Sequence, residues 1–323
     1  MTETFNSLSV VIPIYNAETF IDELIARLET VCEKIHPNYE IILVNDGSRD
    51  NTWNKIKLFC EGNSHIVGIN LSRNFGQPSA TAAALLHSSG DIVVLMDDDL
   101  QDPPENIPLL IEALIRHNTM MAVAQWSSRE DSYLKLLASK IFFHVNDWLS
   151  ESKREPRLGN FRAIRKSVID GLRQFNESTS HVLSIVHYIA GNYICVPMKR
   201  DARSSGESGY TISKMFSLAT TNILSFSLTP IRFATYSGFT LCLSSLLLGI
   251  VLVFRRIYGA VAPGWTSIIV VMFFLFGLSF AFLGILGEYI GRIFIESRQR
   301  PRYIISEALN IRAQTQAMRR PHS

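Results

Sequence analysis

Charge is scarce in this chain. Charged residues fill 19% of its 323 positions while apolar ones reach 47%, against the ~25% charge of an average soluble protein. Lysine and arginine number 31 and aspartate and glutamate 29. That balance fits neither a disordered chain nor a coat for nucleic acid, so no nucleic-acid partner is expected. Cysteine is nearly as sparse. Cys32, Cys60, Cys195 and Cys242 stand far apart, with no C-x-x-C pair and no histidine at ligand spacing beside them. A zinc site, a redox pair and a disulfide scaffold are therefore excluded, and the thiols read as reduced and packed. Two phosphate cradles are missing as well: no G-x-G-x-x-G follows the first apolar run, and no G-x-x-x-x-G-K-[ST] occurs anywhere. A dinucleotide dehydrogenase or a P-loop nucleotidase would lack its grip on phosphate. The stretch Met1 to Ser7 is polar and the apolar run behind it is short and broken by Pro13, so no signal peptide is expected.

The apolar excess is concentrated late in the chain. No charge falls between Phe233 and Phe254, nor between Ile257 and Gly287, and each run supplies the ~20 helical residues that a hydrocarbon layer requires. Arg255 and Arg256 lie between them with Gly259, Pro263 and Gly264, enough for a tight turn. The expectation is a transmembrane hairpin over 232–290, with spans at about 233–254 and 265–287. Lys214 and Arg232 precede the first span and Arg292, Arg298, Arg300 and Arg302 follow the second, against Arg255 and Arg256 in the connection. The positive-inside rule then puts both termini in the cytoplasm. Upstream, Ile212, Phe216, Ala219, Ile223 and Phe226 recur at helical spacing until Pro230. This reads as a juxtamembrane amphipathic helix over 211–231, the other reading being an ordinary packing helix. The arginine-rich residues 291–323 read as a basic cytoplasmic tail, binding anionic headgroups or solvated.

The first 210 residues have another rhythm. Leu8 to Ile12, Ile41 to Val44, Ile66 to Leu71, Ile92 to Met96 and Met120 to Ala124 read as strands. Phe20 to Val31, Trp53 to Phe59 and Ser79 to His87 read as helices between them. Strand–helix alternation implies βαβ units and a mostly parallel sheet, whose ligands gather beyond the carboxyl ends of the strands. The sequence places Pro13-Ile14-Tyr15-Asn16 after the first strand, Asn45-Asp46-Gly47-Ser48 after the second and Asp97-Asp98-Asp99-Leu100-Gln101 after the fourth. Asp46-Gly47 also has a plain reading as turn chemistry. Three successive carboxylates repel one another unless a cation sits among them, and such hard oxygens suit magnesium or manganese on a substrate diphosphate.

Taken in order, these residues resemble glycosyltransferase family 2, and within it the polyprenyl-phosphate glycosyltransferases. The resemblance is carried by Val10 to Asn16, Asn45 to Ser48, Ser72 to Gln77 (SRNFGQ), Asp97 to Glu105 (DDDLQDPPE), Gly159 to Arg162 (GNFR), Gly206-Glu207-Ser208, Gly287 to Arg292 (GEYIGR) and Arg300 to Tyr303. It implies an α/β, Rossmann-like nucleotide-sugar-binding domain of GT-A type over 1–210, ahead of the juxtamembrane helix and hairpin. It further implies Pro13, Tyr15, Asn16, Asp46, Asp97 and Asp98 around the nucleotide, and Mn2+ or Mg2+ on Asp97, Asp99 and Gln101. Asp99, Asn160 and Arg162 would stand at the chemistry, with Arg129, Lys135, Ser139, Arg203 and Ser208 around the acceptor phosphate. The implied reaction is inverting transfer of one sugar from a UDP-sugar to undecaprenyl phosphate for cell-envelope glycan or lipid modification. The implied setting is the bacterial inner membrane, with the catalytic domain cytoplasmic and the protein self-associating.

Some positions depart from the family pattern. Ala17 stands where relatives often have Glu, Asn160 where many have Asp, Trp126 where arginine is frequent, Gly209 where lysine is common, and Asp98 where a small residue is usual. Asn160 cannot accept a proton, which excludes a carboxylate base at that place. These departures motivate an alternative, a catalytically silent membrane adaptor. A processive polysaccharide synthase would need a Gln-x-x-Arg-Trp motif, and none of Trp53, Trp126, Trp148 or Trp265 has one. Arg203→Ala is expected to raise KM for donor or acceptor, or to lower kcat, by about tenfold, the worth of a charge-assisted phosphate contact. Unchanged constants in a sugar-transfer assay would remove Arg203 from the site.

Overall fold

The first strand is buried on both faces, and the architecture follows from that. In the computed structural model, β1 (Leu8–Ile14) is flanked by β2 (Tyr39–Asn45) on one side and β4 (Ile92–Leu95) on the other, all parallel. Its alternate residues feed two separate cores. Leu8, Val10, Ile12 and Ile14 pack with the buried faces of α1 (Ile21–Ile35), α2 (Thr52–Gly62) and α4 (Ile107–Arg116). Val11, with Ile42, Val44, Val93 and Leu95, packs with α3 (Gln77–His87), α5 (Lys166–Leu172) and α6 (Val182–Ala190). Side chains along a strand alternate in direction, so a continuous apolar run needs a helical layer on each face. The structure describes residues 5–126, 158–175, 182–198, 264–298 and 300–311, with scattered helical positions from 236 to 254.

The sheet is completed by β3 (Ile66–Leu71), β5 (Met121–Trp126), β6 (Leu158–Arg165), β7 (Tyr193–Met198) and β8 (Ile305–Leu309), in the order β7-β5-β6-β4-β1-β2-β3-β8. Only β6 and β8 run against the rest. The fold is therefore GT-A-like, Rossmann-type α/β with a mostly parallel sheet. Pairing of β1 with β4 ends at Val11↔Leu95, while pairing with β2 continues to Ile14↔Asn45. Pro13, which has no N–H to offer, lies beyond that last β4 pair. The order changes direction between β4 and β1, and a crevice opens at such a switch point.

The strands expected from the sequence and the first three expected helices are present, several a few residues longer than the apolar runs that announced them. The tail is where expectation and structure part. Helix α7 (Trp265–Ser297) continues past Gly287, and the residues beyond it turn back to form β8, antiparallel to β3. The chain divides into one unit of Met1–Glu130, Glu155–Ser208 and Arg300–Ser323, and another of Asp131–Arg154 and Gly209–Gln299. Within the stretch expected as a basic tail, Ile305–Leu309 thus forms a strand of the sheet. Charge and amide contacts fix β8 there. Glu307 accepts from Trp53 Nε1 at 3.0 Å and pairs with Lys57 at 2.9 Å. Asn310 Nδ2 donates to the carbonyls of Cys60 and Ile66 at 2.7 and 2.9 Å.

Strand direction also fixes where the chain leaves this unit. β5 and β7 both end at the C-terminal edge of the sheet, and antiparallel β8 begins there, Ile305 opposite Leu71. In the second unit, α7 carries the stretch Phe274–Gly291, of mean hydropathy 1.7 and unburied throughout. Among the described residues it is the one helix long and apolar enough to cross a membrane. The expected first span is described only at separate positions, and the expected juxtamembrane helix lies outside the described residues. Ending the chain at Gln299 removes β8 and leaves β3 as an unpaired edge. Amides of β3 are then expected to exchange hydrogen faster than those of β1, with a lower melting midpoint, as read by exchange mass spectrometry and a thermal scan.

Candidate active site

Because β1, β2 and β4 are parallel, their carboxyl ends deliver Tyr15, Asp46 and Asp97 to one edge. Antiparallel β6 brings its amino end there, and with it Asn160. Asp97 is the meeting point. Asn160 Nδ2 donates to both of its oxygens, at 3.0 and 3.1 Å, and Gln77 Nε2, from the first turn of α3, donates to Oδ1 at 2.9 Å. Asp98 turns elsewhere and accepts the Tyr15 N–H at 3.2 Å, fastening the β4 tip to the β1 tip. Burial pushes its carboxyl up to about 7 against the pull of that N–H, and the charges of Asp97 and Asp99 add to the rise. Asp99 Oδ1 accepts the backbone N–H of Gln101 at 3.2 Å. The three carboxylates bond to different partners, and their mutual repulsion still shows in the raised Asp98 carboxyl.

Asp46 is 3% exposed and binds backbone. Its oxygens accept the N–H groups of Phe75 and Gly76 at 2.7 and 2.9 Å. Burial raises its pKa, and these two bonds oppose the rise. Gly47 makes the approach feasible: its φ is +63°, and a Cβ there would lie 2.4 Å from the Arg73 carbonyl carbon. Asp46 therefore holds the Ser72–Gly76 loop, which leads directly into Gln77. Asn16, at φ 53°, donates its N–H to Ser48 Oγ and accepts the Arg49 N–H, at 2.9 and 3.0 Å. Ser72 N–H donates to the carbonyl of Ile304, so the segment before β8 supports the same loop. At the far end of the acidic stretch, Arg27 grips both oxygens of Glu105, at 3.0 and 2.7 Å, and holds that carboxyl below its ordinary range.

Several expected site residues take a supporting part. Pro13 is buried within β1 and Gln101 is 6% exposed, its backbone rather than its side chain serving Asp99. Arg162 is 2% exposed, and its guanidinium donates to the carbonyls of Asn160 and Gly159 at 3.1 and 2.7 Å, so it braces the strand end that carries Asn160. Tyr15 is 43% exposed and presents its ring at the crevice. Arg129, Lys135, Ser139, Arg203 and Ser208 lie outside the described residues, as does Gly209; for Trp126 only the backbone is described. Gln77 is the residue whose part the sequence reading missed. Its signal was its place in the SRNFGQ motif, directly ahead of the Ala-rich helix.

Among the described residues no three histidine, cysteine or acidic groups converge as a preformed metal cage. The donors at hand are hard oxygens, those of Asp97 and Asp99, which suit an ion completed by substrate phosphates and water. The residues fit Mn2+ or Mg2+ in that partial sense, and Gln101, expected beside them, is described here through its backbone bond to Asp99.

A family model described as glycosyl transferase family 2 matches residues 9–172, from β1 through α5. An uncharacterized glycosyltransferase of Synechocystis sp. is 34% identical over 301 residues, 93% of this chain and 95% of that protein. The chain belongs to glycosyltransferase family 2. Solved structures similar to it include two complexes of glucosyl-3-phosphoglycerate synthase from Mycobacterium tuberculosis. One, with Mn2+, UDP and phosphoglyceric acid, is 18% identical at a TM-score of 0.47 over 68% of this chain and 76% of that one. The other, with Mn2+ and UDP-glucose, is 18% identical at 0.46 over 68% and 77%. As a family 2 glycosyltransferase the protein uses a nucleotide-sugar donor, and the matched region contains every contact to Asp97 described above. In this glycosyltransferase, Asp46→Ala is expected to cost about 2 kcal/mol, two hydrogen bonds at ~1 kcal/mol each. Urea unfolding measures the loss, and faster exchange at the Phe75 and Gly76 amides locates it.

Proposed function

We propose that the protein transfers a single sugar from a UDP-sugar to undecaprenyl phosphate at the cytoplasmic face of the bacterial inner membrane, with inversion at the anomeric carbon. The observation that carries this reading is the Asp97–Asp99 tip at the β4/β1 switch point in a chain that also bears an unburied helix of membrane length. A soluble acceptor gives no reason for such a helix, whereas a lipid phosphate does. In the catalytic unit, β5 and β7 end at the ligand edge and β8 begins there, which supports a link on that side. The proximity of Gly238 to Phe282 supports a hairpin in the second unit: a Cβ at Gly238 would be in ordinary van der Waals range of the Phe282 ring, at 3.7 Å. Both termini and the catalytic unit are cytoplasmic in this reading, and the protein self-associates.

Asp97 and Asp99 would hold the divalent ion, Mn2+ or Mg2+, which supplies Lewis-acid stabilisation of the departing nucleoside diphosphate. Tyr15 offers its half-exposed ring to the base, and Asp46 holds the loop beside it. Asn160 donates to Asp97 and takes no proton from the acceptor. None is needed, because a phosphate monoester with a second pKa near ~6 is mostly dianionic at neutral pH and already nucleophilic. What remains for the chain is to align two polyanions, the task left to Arg129, Lys135, Ser139, Arg203 and Ser208 on the acceptor side. The amide contacts on Asp97 give the adaptor reading its one specific support, since they compete with an ion for the same carboxylate.

The test is transfer of radiolabelled sugar from a panel of nucleotide sugars to short-chain polyprenyl phosphate, with and without Mn2+. Metal-dependent formation of a single-sugar lipid phosphate is expected, and Asp99→Ala is expected to reduce it ~100-fold or more while melting like wild type. Lengthening oligosaccharide products would favour a synthase. Binding of nucleotide with no transfer to any acceptor would favour the adaptor.

A further inference from the structure

The geometry points to Gln77 as a positioning residue: its amide, with that of Asn160, fixes the carboxylate of Asp97 for the divalent ion and so sets the affinity for the metal–nucleotide pair. This rests on the metal reading proposed above and assigns a part to a residue that reading does not use. Gln77 opens α3 on one face of the sheet, and Asn160 comes from the end of β6, so Asp97 is approached from two separate elements. Oδ1 receives both amides, at 2.9 and 3.0 Å, and Oδ2 receives Asn160 at 3.1 Å. A carboxylate has about four lone-pair sites, so amide donors that orient it do not by themselves prevent it from taking an ion. Both partners are neutral. A carboxylate in either place would stand about 3 Å from Asp97, where two like charges cannot both be held without a cation.

The position of Gln77 is itself constrained. Asp46 binds the Phe75 and Gly76 amides one and two residues ahead of it, and Gly76, at φ +92°, turns the chain into the helix. The Gln77 side chain is thereby delivered to the β4 tip by a clamp on β2. Outer partners of metal-binding carboxylates set ligand orientation and typically account for 10–100-fold in metal affinity.

The experiment titrates Mn2+ into the detergent-solubilised full chain, alone and with UDP, and reads free Mn2+ by electron paramagnetic resonance. It is run on wild type, Asp97→Ala, Gln77→Leu and Gln77→Glu, with melting midpoints to confirm folding and steady-state constants for the donor. Gln77→Leu is expected to weaken Mn2+ binding by about tenfold and to raise donor KM more than it lowers kcat. Gln77→Glu also loses the donor but adds a carboxylate that can itself attract the ion, so without Mn2+ it is expected to melt below Gln77→Leu. Wild-type affinity in Gln77→Leu, beside a weakened Asp97→Ala, would overturn the positioning role alone. Wild-type affinity in Asp97→Ala, or no Mn2+ binding by wild type, would overturn the metal reading and this inference with it.

Discussion

Negative charge gathered at the end of a buried parallel sheet has to be answered by donors, and most of the local structure at this edge is that answer. Asp46 takes two backbone N–H groups of the loop after β3, Asp98 takes one from the tip of β1, and Asp97 takes side-chain amides from α3 and β6. Each bond joins elements that the sheet holds side by side but does not otherwise connect beyond its edge. Remove the carboxylates and the strand ends would still pair, but the loops would be left with fewer ties, such as those of Asn16 to Ser48 and Arg49. The same acids that make the edge attractive to a cation therefore build the walls of the crevice.

The sheet supplies what these contacts require. β6 must run against its neighbours for its amino end, and hence Asn160, to meet Asp97 at the carboxyl end of β4. Arg162 follows two residues later on the same strand face, and bonds back to the carbonyls of Asn160 and Gly159. A guanidinium that places two of its donors on those carbonyls braces the strand end that carries the Asn160 amide. On the opposite flank β8 performs a comparable service, since Ser72 at the start of the Asp46-bound loop donates to Ile304 just ahead of that strand. A segment lying beyond the apolar helix in sequence thus supports the Asp46-bound loop.

The sequence made β1 to β5 and the first helices legible because they announce themselves locally, by buried runs and 3.6-residue spacing. It also placed Asp46 and Asp97 to Asp99 at strand ends. β8 was hidden for a physical reason. Its five residues, Ile305 to Leu309, are half-buried and carry Ser306 and Glu307, and the side-chain contact of Glu307 with Trp53 spans 254 positions. Nothing local distinguishes such an edge strand from a polar tail. Arg162 misled in the opposite sense. A motif states which residue stands beside Asn160, not whether its side chain faces phosphate or the backbone of its own strand. Gln77 was quoted as a motif residue and given no part, because the bond that gives it one is made across the sheet.

The amide at position 160 is best understood through the charge of the two substrates. A carboxylate there would be useful to an enzyme that must deprotonate a sugar hydroxyl, and its repulsion with Asp97 at about 3 Å would be the accompanying penalty. A lipid phosphate dianion needs no such base, so the penalty would bring nothing in return. An amide in that position donates to Asp97, adds no negative charge where two polyanions must meet, and leaves the ion to be shared between Asp97, Asp99 and the diphosphate. The departure from the acid found in many relatives is in this light consistent with the acceptor proposed for the enzyme, because only a substrate that arrives already ionised can dispense with it.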